Sequence, residues 1–392
     1  MLNRSAFSTA LRLAQGFPAL AITGPRQSGK TTLARALFAD KPYVSLEDPE
    51  ERSFADADPR AFLARFPQGA VLDEVQRCPD LFSYLQGVVD QRKRMGEFIL
   101  TGSQQFGLMS GISQSLAGRV GLLQLLPFSL AELREGGVLP ATLDETMLRG
   151  CYPPLYDRPV APDDWFPNYV ATYLERDVRQ LLAVRNLSLF QRFLKMCAAR
   201  SGQLLNLSAL AADCGISHVT AREWLTVLEA SYVVYLLRPH HQNFGKRLVK
   251  MPKLYFLDTG LMAYLLGIRD ANTLTTHASR GALFETLVVS EWVKRQFNAG
   301  QAAELYFWRD SAGHEVDLLI PQGDQFMPVE IKSGSTFSRD WTAALRKLSA
   351  LFGDAALFMV VMDSMNATSV ALSAGRRWRI HWNPQRNNLQ RE

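Results

Sequence analysis

Gly24-Pro-Arg-Gln-Ser-Gly29-Lys30-Thr31 decides the reading of the first third of the chain. It fits G-x-x-x-x-G-K-[ST] in full, follows the apolar run Ala19-Leu-Ala-Ile-Thr23 and opens a helix predicted over Thr32 to Phe38, which is the strand–loop–helix context the pattern needs. Glycines let such a loop curl until successive backbone N–H groups and the helix N-terminus face a polyphosphate. Gly24, Pro25, Arg26, Gln27, Ser28, Gly29, Lys30, Thr31 and Thr32 are therefore assigned to nucleotide binding. Lys30 is expected to reach the β- and γ-phosphates of ATP, and Thr31 to ligate Mg²⁺.

Outward from the loop, Ala70-Val-Leu-Asp73-Glu74 is an apolar strand ending in two carboxylates. Asp73 is expected to hold Mg²⁺ through water, and Glu74 to orient or deprotonate the attacking water. A glycine turn or a helix cap would account for either pattern alone; in this order and on these elements they describe a nucleotide site. A further strand, Glu97 to Thr101, ends in Thr101-Gly-Ser103. Its hydroxyls, Ser103 among them, either sense the γ-phosphate or only close a strand-end turn. Arg119, in Ser115-Leu-Ala-Gly118-Arg119, is either a catalytic arginine offered to the γ-phosphate of a neighbouring subunit, which requires an oligomer, or a solvated surface charge.

The alternation of apolar runs with amphipathic stretches predicts a parallel α/β sheet for residues 1–150. At 392 residues the chain is long enough for two or three domains, and 47% hydrophobic with 21% charged residues excludes disorder as the main state. No apolar run approaches the ~20 residues of a membrane-spanning helix, which excludes an integral membrane protein of that kind. Arg4, Arg12, Ser5 and Ser8, with no acidic residue before Asp40, give the N-terminus a transit-peptide flavour. The phosphate loop at Gly24 leaves no room for a removable segment, and residues 3–16 read as a domain helix. Cys78, Cys151, Cys197 and Cys214 carry no metal or disulfide spacing and read as buried fillers in a reducing, cytoplasmic setting.

After Leu133 the texture turns Gly- and Pro-rich, which marks a domain boundary. Residues 151–249 read as helical. Within them a helix capped by Ser208, a turn at Gly215 and a second helix capped by Ser217 form a helix-turn-helix, and the strand Ser231 to Leu237 starts a wing. The second helix offers Arg222 against Glu223 and Glu229, so it is not expected to read base sequence. The run from Arg238 to Lys253 carries Arg238, Lys246, Arg247, Lys250 and Lys253 with no acidic residue, plus His240, His241 and Phe244. It suits sequence-independent contact with DNA phosphates, while a solvated face or contact with a neighbour's nucleotide would explain it too. Arg376, Arg377 and Arg379, with Trp378 and Trp382, either add a second contact or decorate the last strand. The net charge of +5 permits a polyanionic partner without requiring one.

Residues 250–392 read as a second α/β domain. A helix beginning at Gly281-Ala-Leu-Phe-Glu285 is followed by Gly313-His-Glu-Val-Asp317 and then Met327-Pro-Val-Glu330-Ile331-Lys332. Strand periodicity places Glu330 and Lys332 on one face. Asp317 and Glu330 on adjacent strands can bind Mg²⁺ or Mn²⁺, and Lys332 beside them can orient water against a phosphodiester. A solvated ion pair at strand ends is the plainer alternative.

Gly-Pro-Arg-Gln-x-Gly-Lys-Thr-Thr, Asp73-Glu-x-Gln-Arg77, Leu100-Thr-Gly-Ser103 and Ser115-Leu-x-Gly-Arg119 resemble the AAA-type ATPases of bacteria and archaea that carry a C-terminal domain of unknown function. Tyr173-Leu-Glu-Arg-Asp177, Lys246 to Lys250 and Tyr255 to Leu261 extend the resemblance over nearly the whole chain. It implies ATP as nucleotide and ring-like homo-oligomers. No separate helical lid is evident, which leaves the winged-helix segment to serve as one. The C-terminal segment resembles the PD-(D/E)XK restriction-endonuclease-like fold, and that resemblance implies that Glu285 completes the metal site. The fold expected is thus α/β multidomain: an AAA+-like P-loop domain, a helical winged-helix domain and a restriction-endonuclease-like α/β domain. The function expected is an oligomeric Mg²⁺-dependent ATPase coupled to a nuclease-like domain acting on DNA, or else an ATP-switched protein whose C-terminal domain binds a partner and cuts nothing.

Overall fold

The computed structural model describes residues 2–102, 105–174, 186–240, 250–310, 312–323 and 325–334, and beyond them 345, 348, 358–362, 368–373 and 376–381. The first half of the chain builds a five-stranded parallel sheet from β1 (Ala19–Thr23), β2 (Tyr43–Ser45), β3 (Ala70–Asp73), β4 (Phe98–Gly102) and β5 (Val120–Gln124), in the order β2-β3-β4-β1-β5. β1, β3 and β4 are buried along their whole length, as the central strands of a parallel sheet covered on both faces must be. β4 stands between β1 and β3. The phosphate loop after β1 and the carboxylates after β3 therefore leave the same carboxyl edge, where such sheets bind ligands, with Thr101 of β4 between them. The first helix, Phe7–Gly16, buries Ala10 and Ala14, and the helix opened by the loop runs Lys30–Leu37.

Between the turn-rich stretches lies a helix, Leu143–Arg149, opened by a capping box in which Thr142 and Glu145 bond each other's backbone N–H. That Thr-x-x-Glu signal is local to the sequence. Further on come helices Leu187–Ala198, Leu207–Cys214 and His218–Ala230, the last two joined through Gly215. Ser217 caps the last helix as predicted, but Asn206 rather than Ser208 caps Leu207–Cys214, because the Asn206 side chain accepts the Ala209 N–H. The following strand, β6 (Val234–Pro239), starts later than the apolar run at Ser231, since Tyr232 sits at φ 56° in a turn.

β6 pairs antiparallel with β7 (Lys253–Phe256) and parallel with β8 (Tyr306–Arg309). It thereby joins a mixed eight-stranded sheet that continues through β9 (Glu315–Gln322), β10 (Gln325–Lys332), β11 (Phe358–Met362), β12 (Thr368–Ser373) and β13 (Arg376–His381). A border drawn at residues 249/250 thus runs between two hydrogen-bonded strands. One apolar core also crosses it, from Leu126 through Phe193, Trp224 and Tyr255 to Val289 and Ile331. The helix Arg280–Asn298 lies against this core with Leu283, Leu287 and Val293 buried. In sequence Arg339 to Leu351 reads as a further helix; apart from residues 345 and 348 it falls outside the described residues. Among the described residues no helix is long and apolar enough to cross a membrane.

Candidate functional site

The nucleotide loop is shaped by what surrounds it. Gly24 has φ +147°, and a Cβ there would lie 2.1 Å from the carbonyl oxygen of Leu125, so no other residue fits. Arg4, on the segment before the first helix, donates to Ser28 O at 2.8 Å and to Leu126 O at 2.6 Å, and pairs with Glu132 at 3.2 Å. Lys30 donates to the loop's own carbonyls, Gly24 O at 3.0 Å and Pro25 O at 2.8 Å. Ser28 Oγ is buried without a hydrogen-bond partner among the described residues. Arg26 lies over the Tyr173 ring, and Gln27 takes a hydrogen bond from Trp165 Nε1 while donating to the Tyr173 hydroxyl at 2.7 Å. Thr32 is exposed on the first helical turn.

At the end of β3, Asp73 collects three hydroxyls: Thr31 Oγ1 at 3.0 Å, Tyr43 OH at 2.8 Å, and Thr101 Oγ1. Burial first, then the Asp73 carboxylate, pushes the Tyr43 hydroxyl up to about 12. Glu74 stands in the left-handed region at φ 54° and accepts a hydrogen bond from Gln76 Nε2. Lys30, Thr31, Asp73 and Glu74 are therefore brought to one edge of the sheet; Ser103 lies outside the described residues. Arg119 stands at the other end of the sheet, just before β5, in a two-pronged pair with Asp90 at 2.5 and 2.9 Å. Sequence reasoning missed Arg4, Tyr43, Gln76, Trp165 and Tyr173 as neighbours of the loop, since only the fold juxtaposes them.

The C-terminal constellation also converges. One register step beyond the Val329–Leu318 pair of β9 and β10, Asp317 meets Glu330, and the Ile331 N–H donates to Asp317 Oδ2 at 2.8 Å. Lys332 bridges Asp317 at 3.3 Å and Glu330 at 2.5 Å. Glu285, from the helix Arg280–Asn298, points to the same place and accepts from Tyr255 OH. Burial, reinforced by the Asp317 charge, raises Glu285, and the same two causes push Glu330 up to about 8.

One expectation is corrected here. Lys253, read as a phosphate contact, is 2% exposed and turned inward by the β6–β7 pairing onto Glu285 at 3.0 Å, Glu315 at 2.5 Å and Asp317 at 3.8 Å. Although burial pulls its basicity down, these carboxylates raise it on balance. Arg238 and Lys250 are exposed, and residues 241–249 lie outside the described residues. Trp382 lies outside them as well; Arg376, Arg377, Trp378 and Arg379 lie on β13. No cluster of three or more His, Cys, Asp or Glu side chains among the described residues is arranged to hold a metal ion.

Residues 16–134 match the family described as "AAA domain", over the segment that carries the loop, Asp73-Glu74 and Thr101. The first third of this chain is an AAA domain. Its AAA domain is of the ATP-binding and ATP-hydrolysing type, and the rest of this AAA protein matches two domains of unknown function, over residues 140–272 and 280–375. Over 350 residues, 88% of its length and 77% of theirs, it is 34% identical to uncharacterized proteins of Mycobacterium tuberculosis and Mycobacterium bovis, with which it forms one family. Among solved structures it resembles a Walker-type ATPase of Pyrococcus abyssi (TM-score 0.44, 15% identity, 68% of this chain and 96% of that one). It also resembles the RuvB Holliday junction branch migration motor of Thermotoga maritima (TM-score 0.32, 19% identity, 60% and 90%).

Proposed function

We propose that this AAA protein is a Mg²⁺-dependent ATPase that works as a homo-oligomer and passes its nucleotide state to the helical segment and to a C-terminal half engaged with DNA. The observation that carries the ATPase reading is the approach of Thr31 Oγ1 to Asp73 at 3.0 Å beside a buried Lys30. Those residues suit the group they would hold. Thr31 and Asp73 supply hard oxygen donors for Mg²⁺, which when bound neutralises phosphate charge. Among the described residues Ser28 Oγ lacks a partner, which a ligand oxygen would supply, and Lys30 Nζ, held on the Gly24 and Pro25 carbonyls, stands at the loop where phosphates would lie. Glu74, once released by Gln76, would orient the attacking water and take its proton. Arg119 lies too far round the sheet to serve its own loop, so its catalytic reading requires a neighbouring subunit and release from Asp90.

The helices Leu187–Ala198, Leu207–Cys214 and His218–Ala230, with the β6–β7 hairpin and the Leu204–Lys253 bridge, follow the order of a winged helix. This segment we read as the lid, and Arg238 and Lys250, at the loop end of its hairpin, as the phosphate contacts. The test is phosphate release from ATP with and without DNA: wild type turns over and Lys30→Ala does not. If both give the same rate, the ATPase reading is wrong. Loss of salt-sensitive DNA binding in an Arg238→Ala, Lys250→Ala double variant checks the DNA contact.

A second reading of the C-terminal half, a partner-binding module that cleaves nothing, is favoured by one observation, the ammonium of Lys253 among its carboxylates. It predicts that DNA of any structure survives incubation with the protein in Mg²⁺ or Mn²⁺.

A further inference from the structure

Where β7, β9, β10 and the helix Arg280–Asn298 converge, four carboxylates (Glu285, Glu315, Asp317 and Glu330) share a small volume with two lysines. A divalent cation held there would need several oxygens within roughly 2.0–2.6 Å of one point. That point is taken. Lys253 Nζ faces Glu285, Glu315 and Asp317 at 3.0, 2.5 and 3.8 Å, spacings suited to an ammonium, with its side chain 3% exposed and sealed beneath the Phe307 ring. Several of the remaining oxygens are occupied in turn: Asp317 Oδ2 by the Ile331 N–H and Lys332, Glu330 Oε1 by Lys332, and Glu315 Oε2 by Arg309, whereas Glu330 Oε2 is buried without a hydrogen-bond partner among the described residues. An entering ion would have to expel a buried cation or sit against it, and like charges that close in a low-dielectric interior repel strongly.

We infer that Lys253 Nζ stands where this carboxylate group would otherwise hold a divalent cation, so that the site is a metal-free, lysine-centred junction tying the β6–β7 hairpin to the C-terminal sheet. The assignment deepens the non-cleaving reading and rests on it. It also gives the junction a hydrogen-bonded route to the lid: Lys253 is the first residue of β7, and its backbone bridges Leu204 just before the helix-turn-helix.

Full-length protein without nucleotide, titrated with Mn²⁺ and followed by electron paramagnetic resonance of the free ion, tests this. Wild type and Asp317→Asn should give superimposable curves. Lys253→Met, if its circular dichroism shows it folded, should gain a Mn²⁺ site that Lys253→Met with Asp317→Asn loses again. A site in wild type that Asp317→Asn abolishes would overturn the assignment whether or not the Lys253 variant folds; so would a folded Lys253→Met that gains none. Incubating the same wild-type and Asp317→Asn samples with DNA separates the two claims. Cleavage that disappears in Asp317→Asn sinks the non-cleaving reading, whereas a Mn²⁺ site without cleavage sinks only the place given to Lys253.

Discussion

Lys30 and Lys253 are both nearly buried, 6% and 2% exposed, yet they keep opposite company. Lys30 rests on two neutral carbonyls of its own loop, at 3.0 and 2.8 Å. Lys253 rests on carboxylates from a helix and a strand far away in sequence. A phosphate arriving at Lys30 replaces ammonium–carbonyl hydrogen bonds by hydrogen bonds between opposite full charges. Nothing comparable is gained by disturbing Lys253, whose charge is already answered. Lys30, held on loop carbonyls, keeps its ammonium at a phosphate loop, whereas a buried cation among anionic partners marks a place already filled.

The largest expected effect tests the first half of that contrast. Lys30→Ala should lower ATP turnover by about 100-fold or more while leaving the melting temperature near wild type, measured by phosphate release and calorimetry. Lys253→Ala should do the reverse. Stranding its carboxylates costs about 3–5 kcal/mol in urea unfolding, and a loss below about 1 kcal/mol would show that the junction is not the anchor its burial suggests.

A smaller effect is expected at Tyr43, whose hydroxyl donates to Asp73 at 2.8 Å. Tyr43→Phe removes one hydrogen bond to a charged group, worth about 1.5–3 kcal/mol at most, and should shift the Mg²⁺ concentration for half-maximal turnover at least severalfold. An unchanged Mg²⁺ dependence would place Tyr43 outside the site.

The smallest concerns pH. Burial and the Asp317 charge push Glu330 from its ordinary 4.5 up to about 8. Between those values the folded protein holds a proton that the unfolded chain has released. This contribution to stability is therefore fully present below about 4.5 and is lost as pH rises through about 8. Glu330→Gln should flatten the fall in melting temperature over that window, and an equal slope in both proteins would contradict the shift.

Much of the AAA site was legible because its parts are local. The glycine pattern, the strand before it and Asp73-Glu74 at the end of another strand each announce themselves within a few residues, and a parallel sheet delivers both strand ends to one edge. The convergence of Asp317, Glu330 and Lys332 was legible for a similar reason, since short neighbouring strands preserve side-chain alternation. Arg119 illustrates the opposite case: a lone arginine in sequence gives no hint of Asp90, which the fold brings to 2.5 Å from across a helix and a strand. Across the border drawn at 249/250, the pairing of β6 with β7 and the shared core are contacts that no local pattern announces.

What the sequence determined by itself is the chemistry available at each place: a loop suited to cradling phosphate, carboxyl groups, and lysines that donate. What the tertiary structure alone decided is which of these groups already satisfy one another. Lys253 ends an acid-free basic run in sequence, and in space it lies among three acids. Charge is a property of the residue, whereas its compensation depends on distances set by strands and helices that meet only after folding.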